Sequence, residues 1–193
     1  MPGMAKERAP TGGRKLLSGE DLLDMPDLGS CELVRGTIVH AQPSGFLHGK
    51  VAGSFFRALD SFVAPRKLGE VVVGEVGIYT ERGPDTVRGA DVAYISNERL
   101  ACVKDVRRFL EVAPELIVEV VSAKQSWKKV RMKLEEYFAC GVKIVWVADS
   151  RRRTVHVHSS PEAVRVLDEG DHLTGGAVLP GFRVPVAELF EDD

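Results

Sequence analysis

The chain has 193 residues, of which 44% are hydrophobic and 28% are charged, as is typical of one soluble globular domain with a buried core. Its formal net charge is only −2, which argues against a protein whose whole surface binds nucleic acid. No apolar run approaches the roughly 20 residues that a membrane-spanning helix needs. We therefore expect a protein without a membrane-spanning segment.

The ends of the chain and its cysteines suggest its compartment. Residues 1–16 are basic and rich in glycine and proline, and no apolar segment follows them, so we predict a disordered tail and not a secretory signal. The rest, 17–193, is predicted to form a single domain. Cys31, Cys102 and Cys140 are scattered without a Cys-x-x-Cys pair. Reduced thiols and a cytoplasmic location are therefore expected.

The first predicted elements are a short helix and a hairpin. Ser18 can accept hydrogen bonds from first-turn amides, and the acidic residues after it favour a helix N-terminus. The segments 31–35 and 37–41 then have the pattern of two strands. A turn at Arg35 and Gly36 would join them as an antiparallel hairpin.

A longer helix and an irregular strand follow. Apolar residues recur at helical spacing over 46–62, which predicts a helix that ends at Pro65. The valine-rich segment 71–79 predicts a strand, and Gly74 within it suggests a bulge.

The central part of the sequence predicts a βαβ unit. The apolar runs 90–95 and 116–121 indicate strands buried on both faces. An amphipathic helical pattern covers 125–140, and a strand over 142–148 follows it directly. Strand, helix and strand in this order predict a parallel pair with a right-handed crossover. The remainder predicts antiparallel strands and a final short helix, so the expected fold is α/β with a β-rich C-terminal extension.

Two carboxylates lie within the apolar runs that predict neighbouring strands. Asp91 belongs to the first run, and Glu119 is flanked on both sides by isoleucine and valine. A buried carboxylate is costly unless a cation meets it, and Lys133 lies one to two turns into the following helix. Two carboxylates beside a lysine suit a hard divalent cation. A metal-dependent phosphodiesterase is therefore the leading hypothesis, and a structural salt bridge between Glu119 and Lys133 is the alternative.

Other polar and aromatic residues are weaker indications of function than the two carboxylates and the lysine. Basic residues are concentrated over 104–153, which is compatible with phosphate contact and equally with a solvated face. His156 and His158 alternate along one predicted strand, and without a third ligand we expect both to face solvent. Trp146 is expected in the core. Trp127 is expected to pack at the start of its helix, although stacking on a base is an alternative.

Several segments occur together in the order and spacing of a known family. They are 32–39, 87–92, 114–122, 133–137, 141–149 and 178–190, together with His48 at the start of a helix. In these, the chain resembles the Uma-type restriction endonucleases of the PD-(D/E)XK nuclease superfamily over about residues 17–190. The resemblance implies a restriction-endonuclease-like mixed sheet core with flanking helices. It also implies an endonuclease that hydrolyses DNA with Mg²⁺ or Mn²⁺.

The resemblance also implies roles for individual residues. Asp91 and Glu119 match the two acidic positions of the superfamily motif, and together with Val120 they would bind the metal. The lysine position of the second half-motif holds Val121. Lys133 matches the position from which the family supplies its lysine instead, on the next helix.

Further residues match polar positions around this centre. Glu32 is expected to be an additional metal or water ligand, and His48 to orient it or to contact phosphate, unless His48 is a solvated residue at its helix N-terminus. Arg88 and Lys129 are expected near the substrate phosphate, although Arg88 fits an ion pair with Glu32 or Asp91 equally well. DNA is the expected partner, bound by a homodimer because each site cuts one strand. The alternatives are a catalytically inactive nuclease fold that binds DNA or protein, and a structural scaffold.

Overall fold

The computed structural model describes residues 15–121 and 126–191, so most of the tail predicted at 1–16 lies outside the described residues. One mixed sheet of eight strands dominates these regions, and a separate two-stranded sheet lies beside it. The strands are β1 (Cys31–Val34), β2 (Thr37–His40), β3 (Gly69–Glu81), β4 (Thr86–Ser96), β5 (Leu116–Val121), β6 (Ile144–Asp149), β7 (Thr154–His158), β8 (Val164–Leu167), β9 (His172–Gly175) and β10 (Leu179–Pro185). The helices are α1 (Gly19–Leu23), α2 (Phe46–Arg66), α3 (Asn97–Leu100), α4 (Trp127–Cys140) and a 3₁₀ turn at Ala187–Leu189.

The main sheet is organised around β4. Its strands follow the order β2-β1-β4-β5-β6-β7-β8, and β3 pairs with β4 as well. Strands β5 and β6 pair in parallel and are joined across α4, which confirms the predicted βαβ unit. The other pairs in the described strands are antiparallel, and the fold is therefore the mixed α/β sheet that the sequence predicted.

The two faces of the sheet carry two separate hydrophobic clusters. On one face, α2 packs its apolar stripe against the central strands, with Phe55 and Leu59 fully buried and Trp146 below them. On the other face, Leu134 and Tyr137 of α4 pack against β5 and β6. Each helix follows the 3.6-residue apolar period that predicted it, so the sheet is covered on both sides at the point where β4 meets β5.

The prediction that α2 ends at Pro65 was wrong by a short margin. The helix continues to Arg66, and Lys67 ends it in the left-handed conformation with its N–H bonded to the carbonyl of Ala64. A proline in the last turn removes a single amide donor, and the carbonyl left without it is at the exposed end of the helix. The guanidinium of Arg66 donates to the carbonyl of Phe62 at 3.0 Å, which helps to satisfy this turn.

The predicted bulge in β3 is present. The register of β3 against β4 shifts between Val73 and Val76, and Gly74 and Glu75 both have positive φ values, 107° and 55°. Both residues therefore lie opposite Asp91 of β4. A bulge bends its strand and interrupts the ladder, so the β3 edge is irregular beside one of the predicted site residues.

The C-terminal third is β-rich as predicted, but it is not all an extension. Strands β7 and β8 continue the main sheet, and only β9 and β10 form a sheet of their own. One expectation was wrong: His158, on β7 between β6 and β8, does not face solvent and is only 6% exposed. His156 is half-buried, with its ring centroid 4.8 Å from that of Trp127. In the described parts of the chain, no helix is long and apolar enough to cross a bilayer.

Candidate functional site

The two predicted metal ligands lie where β4 and β5 separate. The ladder between these strands reaches the pair Val92 and Val118, and Asp91 and Glu119 are the next residues on each strand. Beyond that pair, Asp91 Oδ2 accepts a hydrogen bond from the backbone N–H of Val120 at 2.7 Å. A side chain thus replaces the backbone ladder at this point. The structure brings the two carboxylates together as the sequence predicted.

Glu119 is buried against two residues of α4. The Nζ atom of Lys133 lies 3.1 and 3.0 Å from its two carboxylate oxygens, and the hydroxyl of Tyr137 donates to Oε1 at 2.7 Å. Lys133 and Tyr137 are four residues apart, so they project from the same helix face. Lys133 also donates to the carbonyl of Gly89 at 2.9 Å. The salt bridge that the sequence left open is therefore present.

Burial and charge act in opposite directions on this pair. Burial, aided by the neighbouring Asp91, raises the pKa of Glu119 to about 7 despite the opposing effects of Lys133 and Tyr137. Burial also disfavours the charge on Lys133, but Glu119 and Glu32 outweigh it and hold the pKa of Lys133 above its usual value. The lysine of this pair is therefore favoured in its charged form, whereas burial disfavours the charge on Glu119.

Glu32 connects Lys133 to a second ion pair. One of its oxygens lies 3.0 Å from Lys133 Nζ, and the other accepts from Arg88 Nη1 at 2.8 Å. Arg88 also makes a bidentate contact with Glu136 of α4, at 2.5 and 2.7 Å. Burial would raise the pKa of Glu32, but Lys133 and Arg88 outweigh it and lower that pKa. The ion pair between Arg88 and Glu32 is present, and the side chain of Arg88 is 8% exposed.

His48 and Lys129 complete the set of predicted residues. His48 lies in the first turn of α2, with Nε2 3.1 Å from Asp91 Oδ1 and a side chain that is 16% exposed. This hydrogen bond raises the pKa of His48 despite its burial, and the contact with Asp91 excludes the solvated alternative. Lys129 is exposed on α4, one turn before Lys133. Its role at phosphate stays a prediction.

Comparison with known proteins identifies the family and the fold of the chain. The sequence profile of the Uma2 family, described as "Putative restriction endonuclease", matches residues 20–187. The chain belongs to the Uma2 family. Its structure is also similar to the crystal structure of a "putative nuclease belonging to DUF820" from Anabaena variabilis, with a TM-score of 0.76 and 17% identity over 90% of this chain and 97% of that one. That likeness establishes the nuclease-like fold. A search of curated proteins gave no match.

The donors of this Uma2 centre suit a hard divalent cation. Asp91 and Glu119 supply carboxylate oxygens and Val120 a backbone carbonyl, which are ligand types that Mg²⁺ accepts while it keeps several waters. Within residues 15–121 and 126–191, no group of three His, Cys, Asp or Glu side chains has a metal-binding arrangement. A metal held by Asp91 and Glu119 would therefore need its other ligands from backbone and water.

Sequence reasoning missed two contributors to the Uma2 site. Tyr137 was not singled out within the amphipathic pattern over 125–140, although its position four residues after Lys133 places both side chains on one helix face. Glu136 carried no signal, because an acidic residue on an amphipathic helix is ordinarily solvated. Its contact with Arg88 joins residues 48 positions apart, which no local pattern reveals.

Proposed function

We propose that the protein is a metal-dependent endonuclease that hydrolyses phosphodiester bonds of DNA. The observation that carries the proposal is the position of Asp91 and Glu119 on two diverging strands, with Lys133 3.0 Å from Glu119. Membership of the Uma2 family supports it. Asp91, Glu119 and the carbonyl of Val120 would hold Mg²⁺ or Mn²⁺. When bound, the ion would supply Lewis-acid stabilisation and a more acidic bound water.

The protein's own cations would act on the phosphate. Lys133 is held by Glu119 and Glu32, so its charge is already oriented when substrate arrives and can stabilise negative charge on the phosphate. His48 contacts Asp91 and not Glu32, which it was expected to orient; it would orient the carboxylate of Asp91 or contact phosphate. Lys129, exposed one turn before Lys133, would contact the DNA backbone. Arg88 would help to hold Glu32 in place.

Assembly and location follow from the same chemistry. Each centre cuts one strand, so cleavage of duplex DNA implies two copies, and we infer a homodimer. Cys31, Cys102 and Cys140 are all free thiols, which is compatible with a cytoplasmic protein.

The test combines metal binding with DNA cleavage. The variants Asp91→Asn and Glu119→Gln remove one charge each while they keep the shape of the side chain, and Glu135→Gln, an exposed acid on α4, is the matched control. We expect calorimetry to detect Mn²⁺ binding by wild type and by the control but not by the two site variants. Nicking of supercoiled DNA should fall by at least about 100-fold in the site variants. Undiminished cleavage in both would overturn the proposal.

A second function is favoured by one observation. Glu119 is already satisfied by Lys133 and Tyr137 of its own chain, which is the state expected of a nuclease fold retained only for binding. This reading predicts DNA affinity that needs no metal and does not change in Asp91→Asn. Measurement of affinity with and without Mg²⁺ separates the two functions.

A further inference from the structure

A groove with a volume of about 520 Å³ lies between α2 and β10, on the side of the sheet that α2 covers. Arg57 and Arg66 extend into it from the helix, and Arg183 extends into it from the strand. We call it the arginine groove. It is distinct from the acidic centre, whose lysine and tyrosine are carried by α4 on the other face.

The three guanidinium groups have no carboxylate partner among the described residues. Arg57 donates to the hydroxyl of Ser54 at 3.0 Å, and Arg66 donates to a backbone carbonyl of its own helix. Arg183 is exposed. Elsewhere on this protein, exposed arginines such as Arg82 and Arg107 form ion pairs with nearby acids. The arginines of the groove thus keep their hydrogen-bonding capacity for a ligand.

The groove has an excess of positive charge that is already partly oriented. Glu188 is the single carboxylate among its described lining residues, against three arginines. The guanidinium of Arg66 lies over the ring of Phe62, with Cζ 4.1 Å from the centroid. A stacked guanidinium loses less freedom when it binds an anion. Planar guanidinium groups suit phosphate oxygens, which they contact through paired N–H donors.

The apolar floor of the groove is not open to a base. Phe182 is 4% exposed and packs edge-on against Phe62 at 5.5 Å, while Arg66 covers the face of Phe62. No free aromatic face is left for stacking in this part of the structure. Charge without an exposed ring or a base-reading pocket is the pattern of contact with the sugar-phosphate backbone, which positions DNA but does not read its sequence.

Helix α2 links the groove to the acidic centre. His48, in its first turn, contacts Asp91, and Arg57 lies nine residues further along, which is about 13 Å at the rise of an α-helix. This distance equals about four base pairs at the 3.4 Å spacing of one DNA strand. Nine residues are also about two and a half helical turns, so Arg57 projects from the opposite side of α2 to His48, and the groove would contact DNA outside the acidic centre.

We propose that the arginine groove is a second DNA-contact site that binds the phosphate backbone outside the acidic centre. The proposal rests on the function proposed above, because DNA is taken as the substrate. It assigns the groove a role in affinity and orientation, separate from the chemistry at Asp91 and Glu119.

The test measures DNA affinity without cleavage. A fluorescently labelled duplex is titrated in EDTA at several salt concentrations with wild type, with a triple variant Arg57→Gln, Arg66→Gln and Arg183→Gln, and with a control triple variant. The control carries Lys104→Gln, Lys143→Gln and Arg165→Gln, which remove the same charge from exposed residues outside the groove. We expect the slope of log affinity against log salt to decrease by about 2 to 3 in the groove variant. The control should change it by less than about 1.

The outcomes separate the groove from the catalytic proposal. Equal slopes and affinities in the two triple variants would refute the proposal that the groove contacts DNA. An absence of DNA binding by wild type at low salt would refute it as well. If wild type binds DNA through the three arginines but does not nick it with Mg²⁺ or Mn²⁺, the DNA-contact role of the groove is supported and the proposed hydrolytic function is refuted. Thermal unfolding checks that both variants fold. If the groove variant does not, each arginine is replaced singly, with an expected loss of about 1 in slope.

Discussion

The hydrogen bond from Tyr137 to Glu119 makes a sharp prediction about stability. Replacement by phenylalanine removes one hydroxyl from a fully buried ring and otherwise conserves its shape. The lost bond is 2.7 Å long and its acceptor is a buried carboxylate. Hydrogen bonds to charged groups contribute about 1.5 to 3 kcal/mol, so we expect Tyr137→Phe to lower the free energy of unfolding by about 2 kcal/mol when Glu119 is ionised.

The loss should depend on pH with a definite sign. Burial already raises the pKa of Glu119 from 4.5 to about 7, and the hydroxyl of Tyr137 opposes that rise. Tyr137→Phe therefore raises the pKa of Glu119 further. A carboxyl with a raised pKa in the folded state lowers the free energy of unfolding as pH rises through that pKa. The difference in this free energy between wild type and Tyr137→Phe is therefore largest near about pH 8.5. Near about pH 5.5 Glu119 is protonated, and only a neutral hydrogen bond of about 0.5 to 1.5 kcal/mol is lost.

Urea unfolding at both pH values measures this difference, and thermal unfolding at the higher pH should show a decrease of about 4 to 8 °C. Tyr94→Phe is the matched control, because its buried hydroxyl donates to the backbone carbonyl of Leu68 at 3.1 Å. That variant should lose about 1 kcal/mol without the same pH dependence. If Tyr137→Phe costs as little as the control at pH 8.5, or costs the same at both pH values, Tyr137 does not stabilise ionised Glu119 and the reasoning is wrong.

Three further predictions concern the interior. Lys133→Met should lower the free energy of unfolding in urea by about 3 to 5 kcal/mol near pH 8, because it leaves buried Glu119 without its cation. The loss should be smaller near pH 5. The control Lys128→Met, at an exposed position on the same helix, should change this free energy very little. Leu59→Ala, at a fully buried position, should cost about 2 to 5 kcal/mol by the same assay. Burial lowers the pKa of His158 below 6.5, and its side chain is almost inaccessible to water. Stability tied to its neutral form is therefore lost as pH falls below 6.5, and calorimetry should show that His158→Leu raises the melting temperature near pH 5 more than near pH 8. An equal effect at the two pH values would contradict this account.

Local patterns predicted the elements well where one residue type dictates the geometry. Ser18 forms a capping box at the start of α1, and Arg35 and Gly36 both adopt positive φ in the hairpin turn. Gly141 ends α4 in the left-handed conformation, as its lack of a Cβ allows. Each of these depends on interactions within a few residues, so the sequence contains the information directly.

The sequence predicted the carboxylates of the site, but it did not predict all of the residues that contact them. Glu119 within an apolar run required a buried counter-charge, and Lys133 supplies it. The roles of Tyr137 and Glu136 depend on how α4 is rotated against β4 and β5, which is set by the packing of the whole cluster and not by spacing alone. The burial of His158 likewise depends on tertiary packing, which the alternation of residues along its strand does not reveal.

The network around Lys133 and Arg88 also has a consequence for the growing chain. It joins β1, β4, β5 and α4, and the contacts of Arg88 with Glu32 and Glu136 span 56 and 48 residues. Such long-range contacts form only after their loops close, which slows folding. During synthesis, Glu32 and Glu119 have no lysine partner until α4 has left the ribosome. A fragment that ends before residue 133 would therefore expose its acidic centre to water. We expect proteases to degrade such fragments faster than the complete chain.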